Sequence, residues 1–230
     1  MREEVVGLSV SPWRRGGLKL REPFSGLSHL CGAVLGIAAL VFLVILARGK
    51  PWHLSGFAVY GATLIVLYTA STLYHLLPVS ERGVERLRIF DRVGIYLLIA
   101  GTYTPLCLVP LRGAWGWSLF GVVWGLALFG SLCEIAWPAA PRWLGLVLYV
   151  VMGWLVIIAI GPLTQTLSGT GLHWLVAGGI VYSVGTVIYA TGRPRLWPGV
   201  FGAHELWHLF VLSGSACHLV LMFRFVAPLP

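Results

Sequence analysis

The chain has 230 residues, of which 58% are hydrophobic and only 10% are charged. A soluble domain carries about 25% charged residues, so this composition excludes an ordinary soluble protein and favours one that lies in lipid. The net charge of +8 does not indicate a nucleic-acid partner, because the basic residues are scattered over short loops and form no stripe.

Seven stretches of the sequence are long and apolar enough to form membrane-spanning helices, which need about 20 mostly apolar residues. They cover roughly residues 26–47, 55–77, 92–111, 116–136, 142–161, 172–191 and 204–226. Short connections rich in Gly and Pro separate them, and one is expected from Pro78 to Phe90. The sequence therefore predicts an all-α membrane protein, with a polar basic tail over residues 1–21 and a single seven-helix transmembrane domain over residues 22–230.

The distribution of Lys and Arg predicts the orientation of this bundle. The tail and the loops after the second, fourth and sixth helices carry 12 of the 16 basic residues. The other side carries four, namely Arg48, Lys50, Arg112 and Arg224. We therefore expect a protein of the cell membrane whose N-terminus is cytoplasmic and whose C-terminus is outside, with membrane lipids as partners. The sequence leaves the oligomeric state open.

Ionisable side chains are costly inside membrane helices and are usually functional there. His29 begins the first predicted helix, His75 ends the second, Asp91 opens the third, and His204 and His208 begin the seventh. In the predicted topology all five residues lie near the cytoplasmic face. Separate segments of the chain are thus expected to bring potential metal ligands to one depth.

The histidine spacing in the last helix favours a metal site. His204 and His208 are four residues apart, so they share one helix face and lie about 6 Å apart along its axis. With Glu205 they also match the HExxH pattern of zincins, but no acidic residue follows, and His218 lies about 15 Å further along the helix. The third ligand is therefore expected from another helix, and His75 is the best candidate.

Three neutral imidazoles and a water would form a tetrahedral zinc site of the catalytic type. Zinc lowers the pKa of such a water to about 7, which gives a nucleophile at neutral pH. Asp91 could accept a hydrogen bond from the water or orient a histidine, although Asp is also a favoured N-cap. Ser71, one turn before His75, could lie beside the metal or serve only in helix packing.

These residues resemble the signature of a known family. The motifs Ser71-x-x-x-His75, Asp91-x-x-Gly94-Ile95 and His204-x-x-x-His208 are similar to those of the hemolysin III family, the bacterial branch of the progestin and adipoQ receptor superfamily. The segment Glu22-x-x-Ser25-x-x-x-His29 is similar to the opening motif of that branch, with Ser25 where Asn is more usual. The resemblance extends from about Glu22 to Phe225.

The resemblance implies seven helices, an N-terminus inside, and a Zn²⁺ ion held by His75, His204 and His208 near the cytoplasmic end of the bundle. It implies that Ser71 and Asp91 are polar neighbours of the metal. The wider superfamily resembles alkaline ceramidases, which are membrane hydrolases that cleave lipid amides. A zinc-dependent hydrolase of lipid amides or esters is thus the first hypothesis, with Asp91 as base and Ser71 as hydrogen-bond donor.

Two other classes of function stay open. One is a non-catalytic membrane sensor in which a structural zinc ties the second and seventh helices together. The other is a haemolytic pore-former, which the scarcity of charged residues in the outer halves of the helices disfavours. Around the expected ligands, His29, Glu22 and Glu205 are candidates for supporting roles, although Glu205 lies about 100° around its helix from His204.

Other polar residues receive ordinary interpretations. Glu134 near the end of the fourth helix is expected to pair with Arg142, with a position capping the site as the alternative. His53 and His173 fall at helix ends on the outer side and are expected to be interfacial. His218 is expected to be a packed histidine with a local partner.

Overall fold

The structure is a computed structural model that describes residues 20–197 and 200–230. Residues 1–19 of the predicted basic tail lie outside the described residues. Within the described ranges the chain is helical and has no strand, apart from an isolated bridge between Trp197 and Phe201. The prediction of an all-α protein is confirmed.

Seven long helices follow one another in chain order. They are α1 (Pro23–Leu46), α2 (Pro51–Leu76), α3 (Glu81–Leu108), α4 (Ala114–Ala136), α5 (Arg142–Thr164), α6 (Gly169–Thr191) and α7 (Ala203–Leu221). A π-helical turn, Met222–Val226, extends α7. Six of the seven are long and apolar enough to cross a membrane by length and composition, and α3 is the exception. The seven-span count therefore stays a prediction.

The start of α3 differs from the sequence prediction. A connection was expected from Pro78 to Phe90, but the helix begins at Glu81, where the hydroxyl of Ser80 accepts a hydrogen bond from the amide of Gly83 at 3.4 Å. Asp91 therefore lies inside the helix, and its expected role as an N-cap is wrong. A search by hydropathy misses these first turns because their side chains are charged. The same charges are the reason that α3 is not counted among the helices apolar enough to cross a membrane.

A break in α5 is bridged by one hydroxyl group. The helix is α-helical over Arg142–Trp154, then forms a 3₁₀ segment over Leu155–Ala159 before a last α turn. The hydroxyl of Tyr103 accepts from the amide of Val156 and lies 2.9 Å from the carbonyl oxygens of Met152 and Gly153. Backbone groups freed by a helix break need partners inside a membrane, and this side chain supplies one.

The outward faces of the helices are apolar. Large side chains such as Leu35 on α1 and Leu128 on α4 are more than 60% exposed. So large an exposed apolar surface is rare on soluble monomers, and it suits the hydrocarbon core of a bilayer. The polar residues of interest lie instead on the inward faces.

The two ends of the bundle are closed by different contacts. At one end the ammonium group of Lys50 donates to the carbonyl oxygen of Leu229 at 2.7 Å, so the α1–α2 connection meets the C-terminus. At the other end the amide of Glu22 donates to the carbonyl oxygen of His75 at 2.9 Å. This second contact brings the start of α1 to the end of α2, where the candidate site lies.

Candidate metal centre

Three histidines from two helices meet at one end of the bundle. The histidines are His75, His204 and His208. Each offers one ring nitrogen, and these three nitrogens all lie within 4.8 Å of one another, so the group could hold a metal ion. His75 and His208 are buried, with 1% and 2% of their surface exposed. The side chain of His204 is 37% exposed, so the group opens to its surroundings on the His204 side.

The spacing of the donor atoms suits a tetrahedral ion. Nε2 of His204 and Nε2 of His208 are 3.2 Å apart. Two nitrogens bound to one zinc at 2.0–2.1 Å with tetrahedral angles would be separated by about 3.3 Å. The imidazole set present thus fits a small ion that prefers nitrogen ligands, without rearrangement of α7.

The start of α7 is fixed by its own capping contact. The carboxylate of Glu205 accepts a hydrogen bond from the amide of Gly202 at 2.8 Å, which satisfies one of the free amides at the helix N-terminus. This bond directs Glu205 at the backbone of its own helix. It also holds the first turn, which carries His204, in a regular helical conformation.

Glu22 contacts two of the three histidines. Its Oε2 lies 2.5 Å from Nδ1 of His75 and 3.7 Å from Nε2 of His204. Because Nδ1 of His75 donates to this carboxylate, Nε2 of the same ring is left for a metal. Burial raises the pKa of Glu22, but the hydrogen bond from His75 and the charges of His75, His204 and Arg21 outweigh it and bring the pKa below its ordinary value. Glu22 is therefore ionised at neutral pH.

His29 contacts Nδ1 of His208, the ring nitrogen that faces away from His204, as Glu22 contacts Nδ1 of His75. Nε2 of His29 lies 3.0 Å from Nδ1 of His208, whose other nitrogen faces His204. The His29 ring is 3% exposed and packs edge-on against Tyr68, with ring centroids 4.9 Å apart. Both predicted neighbours from the start of the chain, Glu22 and His29, thus contact the outer sides of predicted ligands.

Ser71 and Asp91 lie beside this cluster and are not among its closest donors. Ser71 is 1% exposed, and its hydroxyl has no hydrogen-bond partner among the described residues. The Asp91 carboxylate is close enough to act on this hydroxyl, so Ser71 faces Asp91 at the edge of the cluster. Asp91 is half-buried and close enough to His75 for the two charges to interact. A Cβ at Gly94 would lie 3.0 Å from the Cα of Leu67, so this glycine lets α3 approach α2 here.

An apolar cavity of about 120 Å³ begins one helical turn from the cluster. Leu67, Ile95 and Val211 line it, and they lie one turn from Ser71, Asp91 and His208 respectively. The cavity continues between α3, α5, α6 and α7 as far as His218.

Three further histidines lie outside the cluster. Nε2 of His218 lies 3.2 Å from the carbonyl oxygen of Leu175, so the prediction of a packed histidine with a local partner is confirmed. His173 is exposed, as expected at an interface. His53 is only 3% exposed, so it packs inside the bundle beside Lys50 and is not an exposed interfacial residue.

The expected pair of Glu134 and Arg142 is wrong. The carboxylate of Glu134 accepts from Arg92 at 3.0 Å. Arg142 is closer in sequence, but α4 packs along α3, and the rotation of these two helices brings Arg92 and Glu134 face to face. Arg142 is exposed and has no ion-pair partner among the residues described.

Sequence reasoning missed two side chains at the site. The ring of Tyr189, near the end of α6, lies 5.7 Å from the ring of His204. Arg21 donates to the carbonyl oxygen of Tyr74 at 2.8 Å and lies over the Tyr74 ring, which holds the start of the chain against α2. An aromatic near a helix end predicts only an interfacial residue, and the Arg21 contact spans 53 residues, so the sequence carries no local signal for either.

Comparison with known proteins gives a consistent assignment. The profile of a family described as Haemolysin-III related matches residues 18–219. The chain is 43% identical to the Hemolysin-3 homolog of Bacillus subtilis, over 84% of this chain and 88% of that protein. It is 41% identical to Hemolysin-3 of Bacillus cereus, over 89% and 91% of the two chains. The human Monocyte to macrophage differentiation factor is 27% identical, over 84% of this chain and 81% of that protein.

Proposed function

The chain belongs to the haemolysin III family and is a multi-pass integral protein of the cell membrane, and from this premise we propose that it is a zinc-dependent hydrolase of lipid amides or esters. One observation carries the proposal. Three imidazoles from α2 and α7 converge within 4.8 Å of one another, and an apolar cavity begins one turn away.

The donor set favours zinc over other ions. Neutral imidazole nitrogens suit zinc, whereas calcium and magnesium prefer oxygen ligands. Three protein ligands and a half-exposed side leave room for a fourth ligand, as in catalytic zinc sites. When bound, zinc supplies a Lewis acid and activates water near neutral pH.

The residues around the cluster have distinct roles in this proposal. Glu22 and His29 accept hydrogen bonds from the outer nitrogens of His75 and His208 and so fix the ring orientations. The Asp91 carboxylate accepts a proton from the attacking water. The Ser71 hydroxyl, which lies close to Asp91, donates to the oxygen on which negative charge develops.

The apolar cavity supports a lipid substrate. Its lining residues are mostly aliphatic and aromatic, and Leu67, Ile95 and Val211 at its near end lie one helical turn from Ser71, Asp91 and His208. An acyl chain in this space would bring its amide or ester carbonyl to the cluster while the chain stays out of water. Apolar pockets with a few polar groups at one end are typical of small-molecule sites.

A structural zinc is the competing function, and one observation favours it. His75 and His208 are almost fully buried and join α2 to α7, so a metal there would also tie the bundle together. The two functions differ in what Asp91 and Ser71 do, because neither is needed to hold a structural ion.

The test is hydrolysis by the purified protein in lipid nanodiscs. The nanodiscs would carry a ceramide and an ester phospholipid, and released fatty acid would be measured before chelation, after chelation, and after zinc is restored. The proposal expects release that stops on chelation and returns with zinc. A protein that binds zinc and releases no fatty acid from either lipid would instead be a metal-stabilised sensor.

A further inference from the structure

Exposed arginines lie where α4 leads into α5 and where α6 leads into α7, at the end of the bundle where the cluster opens at His204; we call this opening the mouth. His204 is the most exposed of the three histidines, and Tyr189 lies against it. The connection after α6 carries Arg193 and Arg195 before α7 begins at Ala203, one residue before His204. On the other side, Arg142 opens α5, close enough to His204 for its charge to act on that ring.

These arginines form no ion pairs with the described part of the chain. Arg142, Arg193 and Arg195 are all exposed. The nearby carboxylates have other partners: Glu22 bonds to His75, Glu85 to Arg88, Glu134 to Arg92, and Glu205 to the amide of Gly202, while Asp91 faces His75 and Ser71 inside the bundle. The mouth therefore carries surplus positive charge.

Each of these two connections also has an exposed tryptophan close to its arginine. Trp143 follows Arg142 and is 63% exposed, and Trp197 lies two residues after Arg195 and is 67% exposed. Exposed Trp beside Arg is typical of the headgroup layer at a membrane surface. Phe201 packs edge-on against Phe24 at 4.8 Å, which holds the second loop against α1 near Glu22. Both loops thus lie where lipid headgroups would surround the mouth.

We propose that Arg142, Arg193 and Arg195 bind the anionic headgroup of a phospholipid at the mouth of the histidine cluster. A guanidinium donates two parallel hydrogen bonds to a phosphate, and surplus positive charge selects a headgroup with a net negative charge. Glu22, which contacts the cluster, has the charge of Arg21 acting on it, and this charge offsets that of the carboxylate. The proposal that these arginines bind a lipid does not depend on the hydrolase function. The further step, that this lipid is also the substrate, rests on the proposed function.

The experiment uses the full chain purified from mixed micelles of phosphatidylglycerol and phosphatidylcholine in equal amounts. Native mass spectrometry counts the lipids of each kind that stay bound. The wild-type protein should retain at least about five times as much phosphatidylglycerol as phosphatidylcholine. The triple variant R142Q/R193Q/R195Q should lose that preference. A matched triple variant at the opposite end, R48Q/R112Q/R224Q, removes the same charge and should keep it.

Further measurements distinguish a bound lipid from bound free phosphate, and the lipid-binding proposal from the hydrolase proposal. Millimolar inorganic phosphate should leave the bound lipid in place; full displacement would mean that the mouth holds free phosphate, and would overturn the assignment. Equal retention of both lipids by wild type, or an unchanged preference in the mouth variant, would also overturn it. Because no outcome depends on turnover, an inactive protein that still selects phosphatidylglycerol would contradict the hydrolase proposal and leave the lipid site standing.

Discussion

The carboxylate of Glu22 lies 2.5 Å from Nδ1 of His75, on a side chain 53 residues away in sequence. His29 makes the corresponding contact to Nδ1 of His208 at 3.0 Å. The first helix segment thus contributes none of the three predicted ligands but holds the outer nitrogens of two of them. This accounts physically for the Glu22-x-x-Ser25-x-x-x-His29 motif at the start of the chain.

Replacement of Glu22 by Gln should weaken metal binding. The Glu22→Gln variant keeps the shape of the side chain but loses the charge that holds the Nδ1 proton of His75, and removal of such partners typically costs about 10–100-fold in metal affinity. Competition with a chelator of known affinity measures the change. Glu85→Gln is the control, since Glu85 pairs with Arg88 at the same end of the bundle. Equal affinities in all three proteins would refute the role assigned to Glu22.

Replacement of Asp91 by Asn separates a catalytic metal from a structural one. The Asp91→Asn variant should keep its zinc, because Asp91 is not among the close donors, and should lose about 100-fold or more of the lipid hydrolysis rate. Zinc content and fatty-acid release are measured on the same preparation. If hydrolysis continued at the wild-type rate, Asp91 would not be the base.

The hydroxyl of Tyr103 should be important for stability. Tyr103→Phe removes the only side-chain contact described for the amide of Val156 at the break in α5, so the free energy of unfolding should fall by about 1–3 kcal/mol. Thermal unfolding in detergent measures the loss. Tyr189→Phe serves as control, since no hydrogen bond is described for that hydroxyl. A Tyr103→Phe protein as stable as wild type would show that the break needs no bridge.

Close packing of α2 on α3 depends on Gly56. A Cβ there would lie 2.8 Å from the Cα of Pro105, which is backbone and cannot move aside, so Gly56→Ala should destabilise the protein by about 1–3 kcal/mol. Gly121→Ala is matched to it, because Gly121 also lies within a helix but has open space around it. That variant should unfold at or slightly above the wild-type temperature. Equal losses in both variants would contradict this packing.

The orientation of the chain can be read from its C-terminus. Lys50 and the C-terminal carbonyl groups lie at the same end, opposite the histidines. With an N-terminus inside, a reporter active only outside the cytoplasm should work when fused after Pro230. Activity there of a reporter that works only in the cytoplasm would reverse the proposed topology.

Hydropathy alone located most of the helices. The last window, 204–226, nearly coincides with Ala203–Val226, and the fourth, 116–136, differs from Ala114–Ala136 only at its start. The first turns of α3 escaped because charged side chains can form a helix that extends beyond the apolar layer. Ser80, three residues before Gly83, was the local capping signal that could have revealed them.

The grouping of the three histidines could be predicted from sequence because part of its spacing is local. His204 and His208 share a face by helical periodicity alone, and the need for a third ligand then directs attention to His75. The contact of Glu134 with Arg92 was not accessible, because it depends on how α4 is rotated against α3. Pairings between helices are set by packing, which no short sequence pattern encodes.

Metal analysis of the purified protein tests the central claim most directly. The wild type should contain about one zinc per chain, His204→Ala should lose it, and His173→Ala should keep it because His173 is exposed and outside the cluster. Protein purified without chelators that contains no metal while all its histidines are intact would contradict the account.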